Sequence, residues 1–251
     1  MQVQARAKVN LTLEVFPLRE DGYHPLRSIV VPIDLYDLIE IEKAEGVSSD
    51  TGYPDDLCVK AAKLLGVGAK IHVEKHIPVG GGLGGGSADG AAVLRGLNEL
   101  YALNHSPEEL AELGAKIGSD VPALVLAQHY GRPVLMEGRG EKVSLLDHST
   151  VSAFEGKKLW LFNPGVHSST KEVYAAFDRM GGETPNSLER AAIALHPEIA
   201  LAKAWLIEAG AENVMMSGSG STVFGFADVL KKRPEYGIIH ATSIFKGDTN
   251  G

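Results

Sequence analysis

The chain has 251 residues, 44% of them hydrophobic and 22% charged, with a formal net charge of -8 at neutral pH. That length buries a sizeable core as one large domain or two ordinary ones, and the balance excludes a disordered chain. The negative charge argues against broad binding to nucleic acid or to an anionic membrane, leaving a small molecule as the expected partner. From the amino end, Val3, Ala5, Ala7, Val9, Leu11, Leu13 and Val15 alternate with polar residues. This predicts one long half-buried strand or two consecutive ones, with Lys8, Asn10, Thr12 and Glu14 on the opposite face. The opening lacks the apolar run of a signal peptide, and no segment is apolar long enough to span a bilayer. Further strands are predicted over 28–33 and 38–43, then a helix over 56–65 with Leu57, Ala61, Leu64 and Leu65 on one side. Cys58, the single cysteine, can form no intrachain disulfide and reads as a buried thiol, which fits a reducing cytoplasm.

A strand over 70–75 leads into Pro78-Val79-Gly80-Gly81-Gly82-Leu83-Gly84-Gly85-Gly86-Ser87-Ala88-Asp89. Helical spacing then follows in Ala91, Val93, Leu94, Leu97, Leu100 and Tyr101. Strand, glycine loop and helix amino terminus in this order aim free backbone N–H groups and the positive end of a helix dipole at an anion. The loop is therefore expected to hold phosphate. It lacks the Gly-Lys-Ser/Thr ending of a P-loop, and a Rossmann site needs an acidic residue about 20 residues on, after a second strand. A flexible linker would lack the flanking strand and amphipathic helix.

Ser106-Pro107-Glu108-Glu109 is a capping box with proline at the first helical position, so a helix to about 117 is expected. Ser119-Asp120-Val121-Pro122 resembles another helix start, with Asp120 where the dipole favours a carboxylate. Strands over 133–137 and 141–145 flank Gly138-Arg139-Gly140 as a hairpin. A polar, turn-rich stretch then places a domain boundary near residue 152, giving domains 1–152 and 153–251. The second half reads as α+β. It has a strand over 158–162, a helix capped at Ser169-Thr170-Lys171-Glu172, helices over 187–195 and 199–208, and strands over 213–216 and 222–226. The last two strands flank Ser217-Gly218-Ser219-Gly220-Ser221. The nine histidines show no zinc spacing.

Ala7-Lys8-Val9-Asn10, the glycine loop and Met216-Ser217-Gly218-Ser219-Gly220-Ser221 resemble, in order and content, the motifs of the GHMP kinase superfamily. Asp21-Gly22-Tyr23-His24 and Ile117-Gly118-Ser119-Asp120-Val121-Pro122 are similar to its branch acting on a cytidine diphosphate-linked methylerythritol. The resemblance spans most of the chain. It implies a two-domain α+β fold, with an amino-terminal domain like domain 2 of ribosomal protein S5 and a ferredoxin-like carboxy-terminal domain. It also implies transfer of the γ-phosphoryl group of ATP to an acceptor hydroxyl, with Mg2+ as cofactor. By the same resemblance, Asp120 is the expected base and Lys8 the expected stabiliser of alkoxide and phosphoryl oxygens. Residues 78–88 (Pro78, Val79, Gly80, Gly81, Gly82, Leu83, Gly84, Gly85, Gly86, Ser87 and Ala88) would cradle ATP, with Ser87 a ligand to magnesium. Tyr23, His24 and Tyr174 would form the cytidine pocket, Asn10 would bind the methylerythritol or its diphosphate, and Thr170 would line the acceptor site.

Taken alone, each of these residues has a plainer reading. A strand lysine points into solvent, Asp120 caps a helix, Tyr174 packs into a core, and His24 beside Pro25 belongs to a turn. Their joint occurrence in family order is what favours chemistry. The alternatives are a related kinase acting on mevalonate, homoserine or a sugar, for which Asp21-Gly22-Tyr23-His24 has no use, and a non-catalytic nucleotide sensor, which has no use for Lys8 and Asp120 together. Two departures from the family pattern stand out. Asp56-Leu57 replaces an Asn-Leu pair near the adenine site, and an ionised Asp56 accepts a hydrogen bond but donates none. Pro234 also restricts any helix between 228 and 236, where family members place a substantial one.

Overall fold

The computed structural model describes residues 1–154, 156–234 and 236–247. Strand β1 (Gln2–Val15) pairs antiparallel with β2 (Leu26–Lys43). β2 is one unbroken strand of 18 residues where the sequence predicts two short ones. Pairing on both edges accounts for the difference. β1 runs along one edge, while β4 (Ala69–Glu74) and β5 (Val134–Gly138) share the other, against 38–43 and 26–30. This pairing overrides the local break that Pro32 suggests. Pro32, which has no N–H to give a ladder, lies opposite Lys8, where the β1–β2 register shifts. Strands β3 (Val47–Ser49) and β6 (Lys142–Leu145) complete a six-stranded sheet by pairing with β4 and β5.

Helices α1 (Leu57–Leu65), α2 (Gly85–Leu100), α3 (Pro107–Gly114) and α4 (Val121–Tyr130) pack with this sheet around one core. α3 begins with the expected capping box: the Glu109 N–H donates to Ser106 Oγ at 3.1 Å, and the Ser106 N–H to the Glu109 carboxylate at 2.8 Å. None of the helices is long and apolar enough to cross a membrane among the described residues.

The second sheet consists of β7 (Lys158–Asn163), β8 (Glu212–Met216), β9 (Val223–Ala227) and β10 (Ile238–Thr242), in the antiparallel order β10-β7-β9-β8. Counted from β7, this is the 4-1-3-2 order of a ferredoxin-like sheet. Helices α5 (Thr170–Met180), α6 (Glu189–Leu195) and α7 (Glu198–Glu208) fill the first crossover. The second crossover, from β9 to β10, carries no helix among the described residues, in keeping with Pro234.

The two halves interleave rather than merely abut. Leu159, Leu161, Phe224 and Phe226 of the second sheet belong to the first core, and Phe154 stacks on Phe226 with ring centroids 4.0 Å apart. In return, Leu13 and Val15 of β1 are buried among α5–α7. The 3-10 segment His148–Phe154 joins the sheets near the expected boundary, and the last four residues of the expected second domain lie outside the described residues.

Candidate active site

The interleaving brings β1, the glycine loop and the Ser217-Gly218-Ser219-Gly220 turn together around a cavity of about 600 Å³. Three carbonyls of the loop are tied back to the protein. The Thr222 N–H donates to the Gly81 oxygen at 3.1 Å, Ser217 Oγ to the Gly82 oxygen at 3.0 Å, and the Lys8 N–H to the Leu83 oxygen at 3.1 Å. In a trans peptide the carbonyl and the next N–H point oppositely. The N–H groups of Gly82, Leu83 and Gly84 are thereby turned away from those partners, and all three residues line the cavity. α2 begins immediately after, with no acidic residue in its first turn, so its dipole meets the cavity uncompensated.

Two glycines are required by their surroundings. Gly82 has φ +75°, and a Cβ there would lie 2.1 Å from the Ser217 carbonyl oxygen. Gly84 has φ +70°, and a Cβ there would press on Lys8 Cε at 3.0 Å. The opposing turn is itself held rigidly. Asn186 Nδ2 donates to the carbonyls of Met216 and Gly218 at 2.8 and 2.9 Å, and Ser168 Oγ donates to that of Ser219 at 2.7 Å.

Lys8 is 3% exposed, unlike an ordinary strand lysine, because the glycine loop closes over it. Its Nζ donates to Asn10 Oδ1 at 2.6 Å and to the Gly82 carbonyl at 3.0 Å, and lies 3.5 Å from Asp120 Oδ2. Asp120 occupies the capping position of α4 but makes no side-chain capping bond. Its carboxylate faces Lys8 across the cavity instead. Tyr174, on α5, borders the same space; burial, with the charge of Asp120 added, pushes its hydroxyl up to about 12. Thr170 Oγ1 lies 2.9 Å from Ser219 Oγ on the same wall.

The other expected residues divide. Pro78, Val79, Gly80, Gly81, Gly82, Leu83, Gly84, Gly85, Gly86 and Ser87 all line the cavity, whereas Ala88 is fully buried in the body of α2 and its side chain does not reach it. Tyr23 and His24 are not among the cavity's walls. Tyr23 is exposed beneath the Arg139 guanidinium, 4.1 Å from its ring centre, and Arg139 also pairs with Asp21. His24 Nδ1 lies 2.8 Å from the Phe16 carbonyl oxygen, and Nε2 lies 2.9 Å from Asp178 Oδ1. That second contact is an ion-pair approach outside good hydrogen-bond geometry, since Nε2 has no hydrogen-bond partner. The ring meets Tyr174 at 5.7 Å between centroids, so His24 supports the cavity wall from behind. Asp56 caps α1, accepting from the Cys58 N–H at 2.8 Å and from Thr51 Oγ1 at 2.6 Å, and also lines the cavity. The Cys58 thiol is buried, and burial together with the charges of Asp89 and Asp56 pushes its pKa up, which keeps it unreactive.

A group that the sequence did not single out lies below the loop. Lys75 Nζ bridges Asp89 Oδ2 at 2.7 Å and Asp37 Oδ2 at 2.5 Å, while Asp37 Oδ1 accepts from the N–H groups of His76 and Ile77. Lys75 precedes the glycine loop and Asp89 follows it, so the bridge draws its two ends together. Burial, only partly offset by Lys75, pushes the Asp89 carboxyl up to about 7. Asp37 is 38 residues from Lys75, and no local spacing announces the pairing.

Comparison with known proteins agrees with this geometry. Residues 53–128 match the model of the GHMP kinases N terminal domain, and 168–235 that of the GHMP kinases C terminal. The chain is 41% identical to the 4-diphosphocytidyl-2-C-methyl-D-erythritol kinase of Bacillus velezensis, covering 91% of this chain and 89% of the relative. It is 38% identical to that of Carboxydothermus hydrogenoformans, over 94% and 91% of the two chains. A crystal structure of 4-(cytidine 5'-diphospho)-2C-methyl-D-erythritol kinase superposes with TM-score 0.78 at 32% identity, covering 98% of this chain and 100% of the other. The mevalonate kinase of Methanococcus jannaschii, at TM-score 0.71 and 14% identity over 98% of each chain, shares the fold. The chain belongs to the GHMP kinases and, within them, to the 4-diphosphocytidyl-2-C-methyl-D-erythritol kinase family.

Proposed function

We propose that the protein transfers the γ-phosphoryl group of ATP to the 2-hydroxyl of 4-diphosphocytidyl-2-C-methyl-D-erythritol, a step of the non-mevalonate route to isoprenoid precursors. One observation carries the mechanism: Lys8 and Asp120 face each other at 3.5 Å in the cavity that the glycine loop lines. The acceptor oxygen attacks the γ-phosphorus as the bond to the β–γ bridging oxygen breaks, releasing ADP. Its proton passes to the Asp120 carboxylate, and the Lys8 ammonium stabilises charge on the acceptor and equatorial phosphoryl oxygens.

The amides of the glycine loop and the start of α2 hold the ATP phosphates. The donors on the wall beside them, the Ser87 hydroxyl and the Asp120 carboxylate, are oxygens and suit a hard cation. Ser87 would hold the ion against the phosphates, where it neutralises charge developing on the transferred group. Tyr174 forms the face on which the cytosine ring packs, with His24 fixing its pose from behind. Thr170 and the Ser219 hydroxyl bind the acceptor.

The test is ATP turnover against a small panel of acceptor alcohols with and without cytidine diphosphate. Turnover confined to the cytidine-linked methylerythritol supports the assignment. Preference for mevalonate, homoserine or a sugar would leave only the broader kinase reading, and no turnover with any acceptor would favour the sensor.

A further inference from the structure

Lys8 is held by a chain of hydrogen bonds that reaches a residue with no place in the chemistry above. Its ammonium has donors only, so the side chain of Asn10 must present Oδ1 to it, as observed at 2.6 Å. That leaves Asn10 Nδ2 needing an acceptor in a site where Asn10 is 2% exposed. Ser28 Oγ accepts from it at 2.7 Å. The Ser28 proton is committed elsewhere, to the Thr12 carbonyl at 2.6 Å, so toward Asn10 the hydroxyl can only accept. Ser28 is 0% exposed and so shut off from bulk solvent.

The backbone makes this reach possible. The β1–β2 register shifts between Asn10 and Thr12, so that Ser28 pairs with Leu13. A bulge of this kind re-aims side chains beside a site. Each end of the Asn10 amide has a partner within the protein.

We propose that Ser28 is a positioning residue for phosphoryl transfer, acting through Asn10: it fixes the amide with its oxygen toward Lys8 and so sets where the ammonium sits between the Gly82 carbonyl and Asp120. The inference rests on Lys8 acting at the reacting centre. Without the Ser28 hydroxyl the amide can turn its NH2 toward the ammonium, pairing donor with donor and displacing Lys8. Misplacement of a catalytic group by a fraction of an ångström to an ångström lowers kcat without weakening ground-state binding.

The experiment is a double-mutant cycle on the whole protein, with ATP and acceptor each varied up to saturation to give kcat and both KM values, with Lys8→Met alongside. Ser28→Ala should lower kcat roughly 10- to 100-fold with both KM values unchanged. In an Asn10→Ala background it should cost nothing further, because its route of action is gone. Ser28→Thr, which keeps the hydroxyl, should retain most of the activity. Should Ser28→Ala fail to fold, Ser28→Cys keeps the volume with a poor acceptor and carries the same cycle. A wild-type kcat in the alanine variant, an undiminished further loss in the Asn10→Ala background, or equal losses in the alanine and threonine variants would overturn the proposal. If Lys8→Met turned over at the wild-type rate, the reading of Lys8 itself would fail. Loss in Lys8→Met without loss in Ser28→Ala would remove only the relay.

Discussion

Asp120 stands at the start of α4 without capping it, and its carboxylate is spent on the Lys8 side of the cavity. Asp120→Asn keeps the shape and removes the proposed base, so kcat should fall roughly 10²–10⁴-fold while ATP binding, read by calorimetry, changes little. Lys8→Met should likewise depress kcat more than nucleotide affinity; a change in ATP affinity alone would make Lys8 a nucleotide anchor. Asp89 offers a test in stability. Its folded pKa is raised to about 7, against an unfolded value near 3.9, so between these pH values the folded chain holds a proton that the unfolded chain has released. Stability contributed by this group is fully present below about pH 4 and is lost as pH rises toward 7. Urea denaturation of wild type and Asp89→Asn across this range should show the wild type losing ground to the variant with rising pH; parallel curves would place the carboxyl's titration elsewhere. At this scale Lys8 and Asp120 were legible through their motifs. Lys75, Asp37, Asn186 and Ser28 were not, because each acts through a partner remote in sequence.

The glycine loop and the helix after it were the most legible elements, since a strand, a loop and a helix follow one another without distant help. The loop's cavity-side geometry depends on positions that differ in tolerance. Gly84→Val adds a branched side chain at φ +70° against Lys8, so both ATP affinity and kcat should fall. Gly86→Ala faces nothing within 4 Å and lies inside α2, so the variant should fold at wild-type stability or slightly above. Equal melting temperatures and equal ATP affinities in the two variants would contradict the close approach of Lys8 to the loop. The Ser106 capping box and the hairpin around Arg139 were also local and legible. The continuity of β2 was not, because it depends on pairing along two edges with strands as distant in sequence as β5. Nor was the burial of Lys8 and Asn10: alternation correctly placed them on one face, but the glycine loop and the Ser217 turn that cover that face come from elsewhere in the chain.

Over the whole molecule, the two sheets share cores, and the cavity lies where they meet, with Lys8 and Asp120 supplied by the first half and Tyr174 and Thr170 by the second. Composition suggests a boundary near residue 152, while the exchange of Leu13 and Val15 for Phe224 and Phe226 between the two sheets is a property of the folded whole. The acceptor end follows from the same arrangement. A base stacked on an aromatic ring is worth about 1–3 kcal/mol, so Tyr174→Ala should raise acceptor KM roughly 5- to 150-fold and leave ATP KM nearly unmoved. The most direct measurement is steady-state kinetics of wild type and Tyr174→Ala with cytidine-linked methylerythritol and with methylerythritol phosphate lacking cytidine. The expected result is strong preference of the wild type for the cytidine-linked acceptor, competition by free cytidine diphosphate, and loss of both in the variant. Better turnover of the acceptor without cytidine, or an unchanged acceptor KM in Tyr174→Ala, would contradict it.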